Sequence, residues 1–375
     1  MKIGIVGTGT MGAGIAQVAA QAGHEVFLYD AQPMAGQQAL ARIDQSLQKE
    51  VEKGRSSATA VMATLQRIAW VDHLEKFRSC NWVIEAIVED LAIKKELFSR
   101  LEKVVNPGCL LATNTSSLSV SAIAASCERP ERVLGIHFFN PVPLMQLVEV
   151  VPAVQTNGQW LDLVKKELER WGKLPVVAKD TPGFIVNRIA RPFYTEALRI
   201  LDEGIADCAS IDVAMTSLGG FRMGPFQLMD FIGHDVNFRV TESLYQGCYQ
   251  ESRYRPSFTQ KRLFEAGYWG KKTGRGFYDY HRDMPKASTD EALLQQIFER
   301  ILIMLFNEAA DALHWNIASR EDIDLAMMKG MNFPKGPLAW AEEWGINRCV
   351  KSMDDLFAYY HEERYRCSAG LRRMR

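Results

Sequence analysis

The chain of 375 residues predicts an α/β domain built on a largely parallel sheet, followed by a mostly α-helical region present in two tandem copies. Three observations carry this expectation. Up to about residue 180, short apolar runs of strand character alternate with longer amphipathic stretches. Beyond that point helical periodicity takes over, and the last stretch of the chain repeats the stretch before it.

Strands are predicted at 3–6, 25–29, 68–71, 82–87, 110–113, 132–138, 147–151 and 175–178, with helices at 13–22, 32–53 and 92–105 between them. A strand that reaches its neighbour through a helix returns parallel to it, and the helices cover both faces of the sheet. Thr181-Pro182-Gly183 reads as a helix start, with Thr181 as cap and Pro182 in the first turn. Helices follow at 184–204, kinked at Pro192, and at 210–218, 225–231 and 237–249. Gly274-Arg275-Gly276-Phe277-Tyr278 closes this segment. The domains are therefore placed at 1–180, 181–281 and 282–375.

The repeat is visible residue by residue. Ile211-Asp212-Val213-Ala214-Met215 returns as Ile323-Asp324-Leu325-Ala326-Met327, Glu196-Ala197 as Glu308-Ala309, and Gly224-Pro225 as Gly336-Pro337, all 112 positions on. Ser252-Arg253-Tyr254-Arg255 returns as Glu363-Arg364-Tyr365-Arg366 at 111. Matches in one register point to a tandem duplication. The second copy has Glu299 where the first has Asn187, and no counterpart of GRGFYDY.

Composition narrows the function classes. The balance of 44 Lys+Arg against 45 Asp+Glu gives no overall attraction for nucleic acid or an anionic membrane. With 47% hydrophobic and 24% charged residues the chain is neither disordered nor fibrous. No apolar run is long enough to span a bilayer. The seven cysteines are odd in number and include no CxxC, as expected of reduced thiols; no metal site is expected. The opening MKIGIVGTG goes straight into a strand and a glycine turn, so a cytoplasmic protein is expected.

Gly7-Thr8-Gly9-Thr10-Met11-Gly12 follows the first strand and opens a helix, and the second strand ends in Asp30. In that context the glycines allow a tight turn, close approach of backbone to a pyrophosphate, and helix–strand packing, as in a Rossmann-type domain. Asp30 would accept hydrogen bonds from the adenosine ribose and repel a 2′-phosphate, and Ala31-Gln32-Pro33 brings no arginine to bind one. NAD is favoured over NADP. A second constellation lies around Asn140-Pro141-Val142-Pro143, a bend between two apolar runs. Facing residues of a hairpin share one index sum, so a bend centred near 142–143 sets His137 almost opposite Glu149. A carboxylate behind an imidazole fixes its tautomer and stabilises the imidazolium formed on proton uptake, as alcohol oxidation by hydride transfer requires. Thr113-Asn114-Thr115-Ser116-Ser117 follows another strand, where an open parallel sheet holds its ligands, though such a cluster serves equally as a helix cap.

Through GTGTMGAGIA, NTSSLSV, HFFNPVPLMQLVEVV, DTPGFIVNR and KKTGRGFYDY, in that order, the sequence resembles the 3-hydroxyacyl-CoA dehydrogenases, and its duplicated helical domain resembles the bacterial enzymes acting on 3-hydroxybutyryl-CoA or 3-hydroxyadipyl-CoA. The resemblance implies reversible NAD-dependent oxidation of (S)-3-hydroxyacyl-CoA in fatty-acid or phenylacetate-type catabolism. It implies His137 as general acid/base, Glu149 as its orienting partner, and Ser116 and Asn187 as hydrogen-bond donors to the reacting oxygen or the thioester. It implies that Glu89, Lys94, Asn114, Ser116, Asn140 and Lys272 join the glycine loop and Asp30 around the cofactor, and that Ser46 and Lys53 meet coenzyme A. Single-copy relatives dimerise through the helical domain, so the duplicate is expected to take a partner's place, giving a monomer with an internal pseudo-dimer or else a homodimer. Two rivals remain: a β-hydroxyacid dehydrogenase acting on a sugar acid without CoA, and an NAD-binding scaffold without catalysis. The first fits poorly with Ser46, Lys53 and HFFNP. The second predicts damage at His137, Glu149, Ser116 or Asn187, and all four are present.

Overall fold

Eight strands form one sheet in the computed structural model, which describes residues 1–32 and 34–375. Pro33 lies outside the described residues. The chain divides into two units, Met1–Thr181 and Pro182–Arg375.

The first unit runs β1 (Lys2–Val6), α1 (Thr10–Gln21), β2 (Glu25–Tyr29), α2 (Ala35–Glu52), α3 (Ala58–Leu65), β3 (Ile68–Trp70), β4 (Trp82–Glu85), α4 (Leu91–Val104), β5 (Leu110–Thr113), α5 (Val120–Ala124), β6 (Val133–Phe138), β7 (Leu147–Pro152), α6 (Gln159–Arg170) and β8 (Leu174–Val177). The strand order is β3-β2-β1-β4-β5-β6-β7-β8. Strands β1 to β6 run parallel to one another, β7 is antiparallel to β6, and β8 is parallel to β7. Every residue of β4, β5 and β6 is buried, as expected where helices cover both faces. The chain leaves β1 towards β2 and β3 and returns to β4 on the other side of β1, and this switch point opens a crevice at the carboxyl ends of the strands.

Departures from the sequence reading are local. Helix α3 was not anticipated, although Ser57 caps it by accepting from the Ala60 N–H. Strand β4 stops at Glu85 rather than running to 87, because the Glu85 carboxylate turns the chain by accepting from Ile87 N–H at 2.7 Å. Thr181-Pro182-Gly183 is a turn, not a helix start: Gly183 and Phe184 have φ of 77° and 45°, outside the helical region. The expected kink at Pro192 is a break. Helix α7 (Val186–Ile189) ends before it and α8 (Arg191–Asp202) begins with Pro192 in its first turn, where no N–H is needed.

In the second unit, α8 is followed by α9 (Cys208–Val213), α10 (Pro225–Ile232), α11 (His234–Gly247) and α12 (Phe258–Glu265). The second copy supplies α13 (Glu291–His314), α14 (Arg320–Gly330), α15 (Pro337–Trp344), α16 (Ile346–Tyr360) and α17 (Ala369–Arg373) in the same order. The backbone repeats even where it is unusual: positive φ occurs at Gly204 and Asn316, Gly220 and Asn332, Gly233 and Gly345, and Tyr249 and His361, each pair 112 residues apart. Residues 300–312 of α13 are all buried, and this helix packs along α8. Ion pairs cross reciprocally between the copies. Arg188 Nε donates to Glu308 at 2.9 Å and its counterpart Arg300 Nε donates to Glu196 at 2.6 Å. Tyr254 donates to Glu308 and its counterpart Tyr365 donates to Glu196. Such exchange is the mark of an isologous interface, here folded into one chain.

Candidate active site

The glycine loop is shaped by close approach. Gly7 has φ +93°, and a Cβ on it would lie 2.5 Å from the Ala86 carbonyl oxygen. A Cβ on Gly12 would lie 1.8 Å from the Gly7 oxygen, so α1 can start here only without one. Gly9 differs: no atom lies within 4 Å of the Cβ position, which leaves the open face that a pyrophosphate needs. Thr8 donates to Asp30 Oδ2 through its N–H at 2.8 Å and its hydroxyl at 3.0 Å, and Gln32 N–H donates to Oδ1 at 3.0 Å. Thr10 and Met11 open α1. A cavity of about 660 Å³ is lined by Gly7, Thr8, Gly9 and Asp30. Sequence reasoning missed Arg42, which also lines it and donates to the Thr8 carbonyl at 3.1 Å. The three residues after Asp30 hold no arginine, but α2 brings Gln38 and Arg42, four residues apart, back to the same wall.

The parallel strands β1, β4, β5 and β6 aim their carboxyl ends at one edge of the sheet, so the glycine loop, Glu89, the Asn114–Ser117 loop and His137 share that edge. Glu89 Oε1 accepts from the Thr115 hydroxyl at 2.5 Å, Ser116 N–H at 3.1 Å and the Ser117 hydroxyl at 3.2 Å. Burial works against its charge, but the Lys94 ammonium and the Thr115 and Ser116 hydrogen bonds outweigh burial and hold the carboxyl below its usual range. Lys94 itself is 1% exposed and pairs with Glu85 and Glu89. Asn114 Oδ1 accepts from Phe138 N–H at 2.8 Å, tying the β5 loop to the end of β6.

His137 pairs with Glu149 in the β6–β7 register. Its Nδ1 lies 2.7 Å from Glu149 Oε2, and both residues are buried. An ionised Glu149 can only accept, so Nδ1 donates to it, and in the neutral imidazole that leaves the lone pair on Nε2. The Phe139 ring lies 4.5 Å from the imidazole. Lys173 holds the bend between the two strands by donating to the Val142 and Met145 carbonyls at 2.5 and 2.8 Å, and burial pulls its pKa down to about 8.

This geometry is matched by kinship. The profile of "3-hydroxyacyl-CoA dehydrogenase, NAD binding domain" covers residues 2–181, and that of "3-hydroxyacyl-CoA dehydrogenase, C-terminal domain" covers 183–280 and again 297–375. The chain belongs to the 3-hydroxyacyl-CoA dehydrogenase family. It is an oxidoreductase whose cofactor is NAD. It is 37% identical to 3-hydroxyadipyl-CoA dehydrogenase of Escherichia coli K12, over 99% of this chain and 96% of that one. A probable 3-hydroxybutyryl-CoA dehydrogenase of Deinococcus radiodurans is 42% identical, over 75% of this chain and all of the relative. The crystal structure of 3-hydroxybutyryl-CoA dehydrogenase from E. coli K12 superposes with a TM-score of 0.95 at 36% identity, covering all of this chain and 98% of that one.

The remaining positions that the family resemblance marks lie on other elements of the two units. Ser46 is half-buried on α2, seven residues before Lys53, which stands exposed just past the end of that helix. Asn140 is exposed at the start of the bend. Asn187 lies on α7, and its backbone carbonyl accepts from Arg191 Nε at 3.1 Å. Lys272 is paired with Asp235 and lies 5.8 Å from the Trp269 ring centre. In the second copy Glu299, the counterpart of Asn187, is paired with Arg348 at 2.6 Å. No helix among the described residues is long and apolar enough to cross a membrane.

Proposed function

We propose that this chain oxidises (S)-3-hydroxyacyl-CoA thioesters to 3-oxoacyl-CoA, reversibly, with His137 as general acid/base and Glu149 as its orienting partner. The observation that carries the reading is the buried 2.7 Å contact between His137 Nδ1 and Glu149, near the carboxyl end of β6. Bound NAD would supply the acceptor for the hydride that leaves C3 of the substrate. His137 Nε2 takes the 3-hydroxyl proton, and Glu149 offsets the charge the imidazole gains. Ser116 and Asn187 hold the reacting oxygen or the thioester. The glycine loop takes the pyrophosphate and Asp30 the adenosine ribose, with Asn114, Ser116, Asn140, Glu89, Lys94 and Lys272 ordering the cofactor's surroundings. Ser46 and Lys53 meet coenzyme A.

The domains in this reading are 1–180 for NAD, 181–281 for the first helical copy and 282–375 for the second, which stands in a partner's place and yields a monomer with an internal pseudo-dimer. The chain is cytoplasmic and serves fatty-acid or phenylacetate-type catabolism. Turnover of 3-hydroxybutyryl-, 3-hydroxyhexanoyl- and 3-hydroxyadipyl-CoA ranks the substrates. The test of the central claim is His137→Ala, expected to lower turnover at least ~100-fold while NADH binding persists. Near-normal turnover in that variant would remove His137 from the reaction.

A further inference from the structure

Strand β4 ends in a carboxylate to which no role is attached. Glu85 is wholly buried, and its oxygens accept from Lys94 Nζ at 2.5 Å, Ile87 N–H at 2.7 Å and the Thr113 hydroxyl at 2.7 Å. Lys94 also reaches Glu89 at 3.3 Å, so one ammonium stands between two carboxylates and makes its shorter contact with the buried one. Glu89 is the outer member, with 38% of its side chain exposed at the edge of the sheet where the glycine loop ends. A buried ion pair is seldom kept for stability alone, because apolar residues of the same size do as well there.

We propose that Glu85 is a positioning residue that sets which redox form of the cofactor is held more tightly. By sharing Lys94 it leaves the Glu89 carboxylate only partly compensated and the trio with one net negative charge, which favours the cationic ring of NAD+ over the neutral ring of NADH. The direction in which the dinucleotide lies supports this. Asp30, at the end of β2, takes the adenosine end on one side of β1, so the nicotinamide half extends over β4 and β5, the side that carries Glu89. The inference rests on that part of the functional reading and not on His137.

The test is the ratio Kd(NAD+)/Kd(NADH), from fluorescence titration of NADH and its displacement by NAD+. The two forms carry the same phosphates, so the ratio isolates the charge on the ring. In Glu85→Gln, Lys94 turns its charge to Glu89 and the ratio rises roughly fivefold, as expected for one charge acting across a partly solvated site. The double variant Glu85→Gln/Lys94→Gln restores the net charge and brings the ratio back towards that of the native protein. Glu89→Gln changes a half-exposed group, so it reports even if Glu85→Gln does not fold, and it gives the same rise. A purely structural role for Glu85 weakens both forms alike. An unchanged ratio in Glu85→Gln, or in Glu89→Gln, overturns the proposal. These titrations involve no turnover, so a failure of the His137 assignment leaves their outcome untouched.

Discussion

The two helical copies share their packing and differ in their chemistry. Both bury an Arg–Glu–Tyr set against the other copy, and both turn the chain with positive φ at matching positions. Both start a helix after Gly-Pro by aiming an aspartate at its first N–H groups: Asp212 accepts from Phe226 and Gln227, and Asp324 from Leu338 and Ala339. The first copy alone carries Asn187, and alone ties Gly276-Phe277-Tyr278 to a buried Asp230, which accepts from Phe277 and Tyr278 N–H and from the Tyr280 hydroxyl. The second has Glu299, Glu342 and Ile346 where the first has Asn187, Asp230 and His234. An isologous interface needs both halves, so its residues are held in both. Asn187, Asp230 and His234 take no part in that reciprocal set of ion pairs, so nothing in the interface holds their counterparts to the same residues.

The largest effect expected from that comparison is on stability. Glu308 is buried and receives Arg188, Arg253 and Tyr254. Glu308→Ala leaves two arginines, both nearly buried, to share Asp311, and should cost about 3–5 kcal/mol in urea unfolding. Its counterpart Glu196→Ala should cost about 1–2 kcal/mol less, because Arg300 keeps both oxygens of Glu203, at 2.9 Å each. Equal losses would mean that the two halves of the interface are energetically alike despite their different side chains.

A pH dependence sharpens the comparison next. Burial pushes Asp212 up to about 7, held back by hydrogen bonds from Tyr278, Phe226 and Gln227 and raised further by nearby Asp230. Burial also raises Asp324, which among the described residues is held back by the Leu338 and Ala339 N–H groups and by Arg320 rather than by a tyrosine. A carboxyl whose pKa is higher in the folded chain binds more protons there than in the unfolded one, so its contribution to stability is complete below about pH 4 and is lost as pH rises through about 7. Unfolding free energy should therefore fall across that window by an amount on the order of 2–4 kcal/mol. Asp212→Asn should flatten the fall, and Asp324→Asn should flatten it less. A slope untouched by Asp212→Asn would show that the helix-start hydrogen bonds keep this aspartate ionised throughout.

Local order was legible and side-chain direction mostly was not. All eight strands follow from short apolar runs between turn residues, and the His137–Glu149 register follows from where the bend falls, since neither needs knowledge of distant chain. Lys94 shows where sequence reading stops. The family pattern marks it as a cofactor contact, yet it sits on the stripe Lys94, Leu97, Phe98 and Leu101 that α4 buries. A lysine at an apolar position of a helix announces a buried carboxylate, and that signal was available. Arg42 and Glu85 carried no such mark, because their partners come from other elements and only the assembled sheet edge brings them together. The exchange of Arg199 for Asp311 between the copies likewise becomes readable only once Arg188 and Arg253 are seen converging on Asp311.

The last pair of variants sets a large expected loss in one copy against the smallest expected effect in the other. Asn187→Ala should lower kcat about 100-fold or more with cofactor binding intact, the scale for losing one hydrogen-bond donor to a developing charge. The reverse change in the other copy, Glu299→Asn, breaks a half-exposed pair with Arg348 and should alter neither kcat nor stability by more than about 0.5 kcal/mol. If Glu299→Asn instead raised turnover or introduced a second class of acyl-CoA binding, the duplicate would have kept more of the original site than its residues suggest. The division of labour between the copies would then rest on a single side chain.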